Sequence, residues 1–124
     1  MAIHPNYADA ILDGEKHVEF RKRTLASDIT TVVIYATSPV QKVVGEFTIR
    51  ETVVDAPDSI WERYGDVGEI DRDSYGAYYA NAPTAVAIVV AQAKRYEVPQ
   101  DLSELHSSPA IPQSFSYLPA APVV

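Results

Sequence analysis

Gly14-Glu15-Lys16-His17-Val18-Glu19-Phe20-Arg21-Lys22-Arg23 gathers four of the ten Lys and Arg residues of the chain into one short segment. Val18 and Phe20 alternate with His17, Glu19 and Arg21, the period of a strand with one packed face and one polar face. Directly upstream, Ile3 to Asp13 (Ile-His-Pro-Asn-Tyr-Ala-Asp-Ala-Ile-Leu-Asp) predicts a helix. Pro5 suits its first turn, and Gly14 suits the left-handed position that ends it. A helix therefore delivers a basic strand spanning Lys16 to Lys22.

Working outward, Thr30 to Thr37 is too apolar for a half-exposed strand and is expected in the middle of a sheet, followed by a turn at Ser38-Pro39. Lys42 to Arg50 alternates again. Val43, Phe47 and Ile49 point inward, Glu46, Thr48 and Arg50 point away, and Gly45 marks a bulge or a close contact. Ser59-Ile60-Trp61-Glu62 has capping-box spacing after Pro57, which predicts a short helix to about Tyr64 that stops at Gly65, with Trp61 in the core. A second helix is expected over Asp71 to Ala80, its early acids favouring the N-terminus. Thr84 to Lys94 is apolar on both faces and reads as a buried strand closing a barrel. Asp101 to Glu104 predicts one helical turn, Pro112 to Leu118 a final short strand, and Pro119 to Val124 a loose tail. Helix then strands, with two helices inserted among them and no internal repeat, give an α+β class and one domain.

Composition narrows the function. At 124 residues and 47% hydrophobic content the chain can bury a core unaided. It has no cysteine, which excludes a disulfide framework and thiolate chemistry and fits a cytoplasmic location. Three histidines without helical pairing offer no zinc site, so no metal or cofactor is expected. The longest apolar run, Ala85 to Ala91, is far below the roughly 20 residues of a membrane-spanning helix. A net charge of −7 argues against a general nucleic-acid coat protein. The acids concentrate at Glu51, Asp55, Asp58, Glu62, Asp66, Glu69, Asp71 and Asp73, against Arg63 and Arg72 alone. An anionic ligand would have to meet the basic strand, while the acidic helices are either a solvated surface or a contact for a protein partner.

Ile3-x-Pro5-x-Tyr7-Ala8-x-x-Ile11-Leu12-x-Gly14-x-Lys16-x-Val18-Glu19-Phe20-Arg21 resembles the opening motif of the ASCH domain, a relative of PUA domains. Ile34-Tyr35-Ala36-Thr37, Val44-Gly45-Glu46-Phe47 and Pro112-Gln113-Ser114-Phe115 with Tyr117-Leu118 are similar to a branch of small bacterial members. The resemblance implies a small PUA-like β-barrel with helices at its rim, spanning 1–118. It also implies a cleft beside the motif that binds RNA or a nucleotide-like ligand. Members include presumed RNA binders, hydrolases of acetylated cytidine and a ribonuclease. In the amidohydrolases the motif reads Lys-x-x-Thr; Lys16 matches the lysine, but Glu19 fills the threonine position and has no hydroxyl.

Lys16, directly after a helix-ending glycine, is a candidate for phosphate or carbonyl binding or, with a depressed pKa, for proton transfer. Its alternative is a solvated turn lysine. Glu19 and Arg21 share a strand face and can pair, holding the guanidinium for a phosphate or a base edge, or else forming a surface ion pair worth roughly 0–1 kcal/mol. His17 shares that face as a minor acid–base candidate, and Gln113 and Ser114 are apt for reading hydrogen-bond edges. No phosphate-cradling glycine loop, paired metal ligands or serine elbow occurs. The preferred reading is RNA or nucleotide binding at Lys16, Glu19 and Arg21. The runner-up is a hydrolase of a modified nucleoside or of RNA phosphodiesters using Lys16 and Glu19, and the third is a protein-interaction module.

Overall fold

The computed structural model describes residues 1–102. In chain order the elements are β1 (Ala2–Ile3), α1 (Pro5–Leu12), β2 (Val18–Arg21), β3 (Thr31–Ala36), β4 (Lys42–Asp55), α2 (Pro57–Tyr64), a 3-10 turn (Gly65–Val67), α3 (Arg72–Tyr78) and β5 (Ala85–Gln100). The five strands form one sheet in the order β1-β3-β4-β5-β2, with β1 parallel to β3 and every other pair antiparallel. The segments predicted around residues 16–22, 42–50 and 84–94 are thus neighbours in a single sheet. The predicted strand at Pro112 to Leu118, the tail, Gln113 and Ser114 lie outside the described residues, as do Ser103 and Glu104 of the turn expected at Asp101 to Glu104.

The alternation of β5 explains its two-sided apolar character. Val86 and Ile88 join a core with Ile3, Ile11, Ile34 and Phe47 beneath α1. Ala85 and Ala87 join a second core with Val18, Phe20, Ile60, Tyr75 and Tyr79 beneath α2 and α3. β2 borders the same two regions. Val18 and Phe20 take the helix side, which leaves Glu19 and Arg21 on the inner side of the curl. All four residues of β2 are buried. The polar face of Glu19 and Arg21 is therefore as buried as the apolar one. The edge strands approach each other closely enough for Arg21 Nη1 to donate to the carbonyl of Ala2 at 3.3 Å, although no ladder joins β1 to β2 among the described residues.

Register shifts at Val43/Gly45, Thr48/Ile49 and Ile49/Glu51 bend the long β4–β5 pair. At Gly45 a Cβ would lie 2.5 Å from the carbonyl oxygen of Lys94 and 2.7 Å from Leu12 Cδ2, so β4, β5 and α1 meet over a bare backbone. Gly45→Ala is expected to destabilise the protein by about 1–3 kcal/mol, because a main-chain atom cannot step aside as a side chain can. Urea denaturation of the variant against the native chain measures it, and an unchanged midpoint would contradict this account of the contact.

Several boundaries differ from the sequence expectation. Ile3 belongs to β1, and the helix starts after His4, whose Nδ1 accepts from the backbone N–H of Asn6 at 3.3 Å. Gly14 follows at φ +81°. α2 begins at Pro57 with Ala56 as its N-cap and no side-chain cap, so Ser59 lies inside the helix and forms no capping box. Pro57 decides this, since its fixed φ is already helical at the first position. Asp71 caps α3 by accepting from the N–H of Ser74 at 3.1 Å. Trp61 is half-buried at the margin of the second core, its ring 4.8 Å from that of Tyr75. Among the described residues no helix is long and apolar enough to cross a membrane.

Candidate functional site

The turn after α1 fixes Lys16. Its backbone N–H, like that of Glu15, donates to the carbonyl of Ala10, and the next N–H, of His17, donates to Val67 at 2.8 Å. From there the Lys16 side chain runs inward between two rings, with Nζ 5.0 Å from the centroid of Tyr7 and 5.1 Å from that of Phe20. Its ammonium donates to the carbonyl of Gly68 and lies 3.8 Å from Glu19 Oε1. Glu19 Oε2 accepts from Arg21 Nη1 at 3.4 Å. Lys16, Glu19 and Arg21 therefore form one chain of charge, cation–carboxylate–cation, along the inner side of β2.

Their exposures are 2%, 1% and 4%, so these groups do not line an open cleft as the sequence reading expects. The physical reason is the cover supplied from two sides. Tyr7 of α1 overlies the ammonium, and the chain after the 3-10 turn places the Gly68 carbonyl on it. Gly68 has no space for a side chain, since a Cβ would lie 2.3 Å from Phe20 Cε2. Glu69 next to it adopts a left-handed φ of 51°. Burial pulls the Lys16 pKa below the ordinary lysine value, opposed by the charges of Glu19 and then Glu69. Burial, then the charges of Asp71 and Glu19, push the Tyr7 phenol up. Tyr79 pins the backbone from behind, its hydroxyl donating to the carbonyl of Arg21 at 2.7 Å.

His17 does not join the cluster. It is exposed, with Nε2 2.9 Å from the carbonyl oxygen of Gly14. Lys22 lies over the ring of Tyr78 at 4.7 Å, and Arg23 is exposed, so both extend the basic character of the segment outside the buried chain. Two members of the site were not singled out from the sequence as site residues. Tyr7 stood in the motif but carried no sign of contact with Lys16, and the Gly68 carbonyl is a main-chain group without a side-chain signature. Among the described residues no three His, Cys, Asp or Glu side chains are grouped to hold a metal.

A cation held by a main-chain carbonyl and one carboxylate can exchange that carbonyl for a ligand oxygen, and the carboxylate beside it can take up a proton. Comparison with known proteins bears on which ligand that is. The family model described as "Domain of unknown function (DUF365)" matches residues 2–107. Two proteins named large ribosomal subunit protein uL22, from strains of Ureaplasma parvum serovar 3, are 38% identical over 119 residues, covering 95% of this chain and 38% of theirs. The chain thus spans little more than a third of the length of those relatives. A protein named ASCH domain-containing ribonuclease, from Zymomonas mobilis, is 32% identical over 122 residues, covering 95% of this chain and 82% of that one. Among solved structures, ASCH from Zymomonas mobilis superimposes with a TM-score of 0.80 at 29% identity, covering 92% of this chain and 82% of that chain. A tyrosine-to-phenylalanine mutant of ZmASCH gives the same TM-score at 28% identity, covering 92% and 84%.

Proposed function

We propose, because the chain belongs to the ASCH-domain family, that it acts on RNA, binding a short single-stranded segment at Lys16, Glu19 and Arg21 and cutting it there. The observation that carries this reading is the buried chain of charge on β2, in which Lys16 is tied to the replaceable carbonyl of Gly68. The name of the Zymomonas mobilis relative supports cleavage over binding alone. We read the curled sheet as the wall of the PUA-like barrel that the family resemblance implies, with residues 1–118 as the domain.

In this reading a phosphate oxygen takes the place of the Gly68 carbonyl on Lys16, with Tyr7 as the side chain that moves to admit it. The carboxylate of Glu19 takes the proton of the 2′-hydroxyl as that oxygen bonds to the adjacent phosphorus. The phosphorus–5′-oxygen bond breaks, and Lys16 gives a proton to the leaving oxygen. The products are a 2′,3′-cyclic phosphate and a 5′-hydroxyl. Arg21 balances the charge that builds on the phosphoryl oxygens. Hydrolysis of acetylated cytidine by the Lys-x-x-Thr route has no support, since Glu19 supplies no hydroxyl. Binding without turnover is the second reading, favoured by the depth at which the cluster is buried.

The footprint on RNA is small in either case. Two or three neutralised phosphates on a single strand give a log–log salt slope of about −1.4 to −2, with base contacts supplying the remaining affinity. Titration of a labelled single-stranded RNA at several salt concentrations measures that slope, and mass spectrometry of the incubated RNA detects cyclic-phosphate ends. A steep slope would mean diffuse attraction instead of a site, and intact RNA would leave only the binding reading.

A further inference from the structure

The first turn of α1 brings a further polar group to Lys16. Pro5 opens the helix after His4, so His4 and Tyr7 share one face of that turn, with their rings 5.7 Å apart. Ala8 and Ile11 are buried in the core, His4 is exposed and Tyr7 is half-buried. The rings of Tyr7 and Phe20 both lie over the Lys16 ammonium, 5.0 and 5.1 Å from Nζ. Phe20 shows that a bare ring is enough to cover the cation. The hydroxyl of Tyr7 adds nothing to that cover, and among the described residues it has no hydrogen-bond partner. Tyr75 and Tyr79 differ, because their hydroxyls donate to the carbonyls of Pro57 and Arg21, each at 2.7 Å.

The charges around Tyr7 decide what this hydroxyl can bind. Burial, then Asp71 and Glu19, push its pKa up, so it stays a neutral donor while the carboxylates are ionised. Glu69, like Glu19, places a negative charge near the Lys16 ammonium. An anion that reaches Lys16 therefore meets the cations of Lys16 and Arg21 with these carboxylates close by. Ionised carboxylates accept hydrogen bonds and donate none. A phosphoryl group needs donors for more than one oxygen, and the Tyr7 hydroxyl is a donor that adds no charge to the cluster. When Tyr7 turns aside it gives up a cation–π contact, and a hydrogen bond from its hydroxyl to an anionic oxygen is typically the stronger of the two.

We infer that Tyr7 is a further catalytic residue of the β2 site: it turns off the Lys16 ammonium as a phosphate enters, and its hydroxyl donates to a phosphoryl oxygen beside the one that Lys16 holds. The inference rests on the RNA reading for the ligand being a phosphate, and on the partnerless hydroxyl over Lys16 for the residue. Tyr7 gives a hydrogen bond and transfers no proton, so Glu19 and Lys16 keep the proton steps. Its contribution grows as negative charge builds on the phosphoryl oxygens.

Tyr7→Phe is the decisive variant, because it keeps the ring over Lys16 and removes the oxygen alone; Tyr7→Leu removes both. Since the hydroxyl has no partner in the free protein, Tyr7→Phe is expected to melt with the native chain. The probes are inorganic phosphate and a single-stranded 2′-deoxy oligonucleotide that cannot be cut, titrated into the isotopically labelled full chain. The amide of Glu69 belongs to the same peptide unit as the Gly68 carbonyl, so it reports the release of that carbonyl from Lys16. It is expected to move saturably in the native chain. Tyr7→Phe should weaken that response about tenfold or more and slow single-turnover RNA cleavage by at least as much, with Tyr7→Leu no better and Lys94→Ala unchanged in both. A response to the oligonucleotide assigns the phosphate to a nucleic-acid backbone, and a response to inorganic phosphate alone assigns it to a free anion; either supports Tyr7 when Tyr7→Phe loses it. A Tyr7→Phe chain that binds like the native one, or a Glu69 amide that ignores both probes, overturns the inference. RNA cleavage is scored separately. Native-rate cutting by Tyr7→Phe would remove Tyr7 and leave the RNA reading, whereas phosphate binding through Tyr7 in a chain that never cuts RNA would sink the cleavage reading and leave this contact standing.

Discussion

Glu19→Ala is expected to destabilise the protein by about 3–5 kcal/mol, a large part of the 5–15 kcal/mol by which domains of this size are stable. Glu19 lies between Lys16 and Arg21, 1% exposed, and touches both cations with different oxygens. Truncation would leave two buried cations facing each other without the carboxylate between them. The comparison that decides the magnitude is Arg95, which reaches Asp9 at 3.2 Å and Asp13 at 2.8 Å and so has the better geometry. Those partners are exposed, water screens them, and Arg95→Ala should lose no more than about 1 kcal/mol. Burial outranks distance here. Glu19→Gln, which keeps the shape and an acceptor oxygen but removes the charge, should fall between the two. Urea denaturation of the three variants is the check. A Glu19→Ala loss no greater than that of Arg95→Ala would mean that the cations do not depend on Glu19.

How far the fold was legible depended on what each pattern can report. Period-2 alternation identified β2 and the first half of β4, and the two-sided apolar run placed β5 inside the sheet. Alternation distinguishes two faces of a strand without saying which is interior. Glu19 and Arg21 were therefore expected in a ligand cleft or as a surface ion pair, whereas the structure buries them as a compensated pair. The second half of β4 was hidden because Glu51, Thr52 and Asp55 resemble a solvated acidic stretch, yet these residues pair with Ala85 to Val89 of β5. Arg95 to Gln100 was hidden in the same way by charge and Pro99. The grouping of Lys16 with Glu19 and Arg21 was legible from spacing. The cover over it was not, because a carbonyl at Gly68 and a ring at Tyr7 come from elements distant in sequence.

Lys16→Met is expected to lower RNA cleavage by about 100-fold or more while changing stability by no more than about 2 kcal/mol. The two effects separate because Lys16 has opposite standing in each. In the proposed reaction it supplies the proton and the contact to phosphate, and methionine would supply neither. For folding its ammonium is a buried charge whose pKa burial holds below 10.5, so the protonated form opposes the fold. Between the depressed folded value and 10.5 the unfolded chain binds more protons than the folded one, so native stability rises with pH across that window. The stability of Lys16→Met relative to the native chain should accordingly be greatest below the folded value and should fall as pH rises towards 10.5. Glu19 keeps Arg21 as its partner in the variant, so no carboxylate is stranded; the losses are the bond with the Gly68 carbonyl and the 3.8 Å ion pair with Glu19, set against the relief of burying the ammonium. Single-turnover cleavage of a labelled RNA and urea midpoints at several pH values measure both quantities on one preparation. A folded Lys16→Met protein that cuts RNA at the native rate would remove Lys16 from the reaction, and the buried chain of charge on β2 would then stand as a structural element alone.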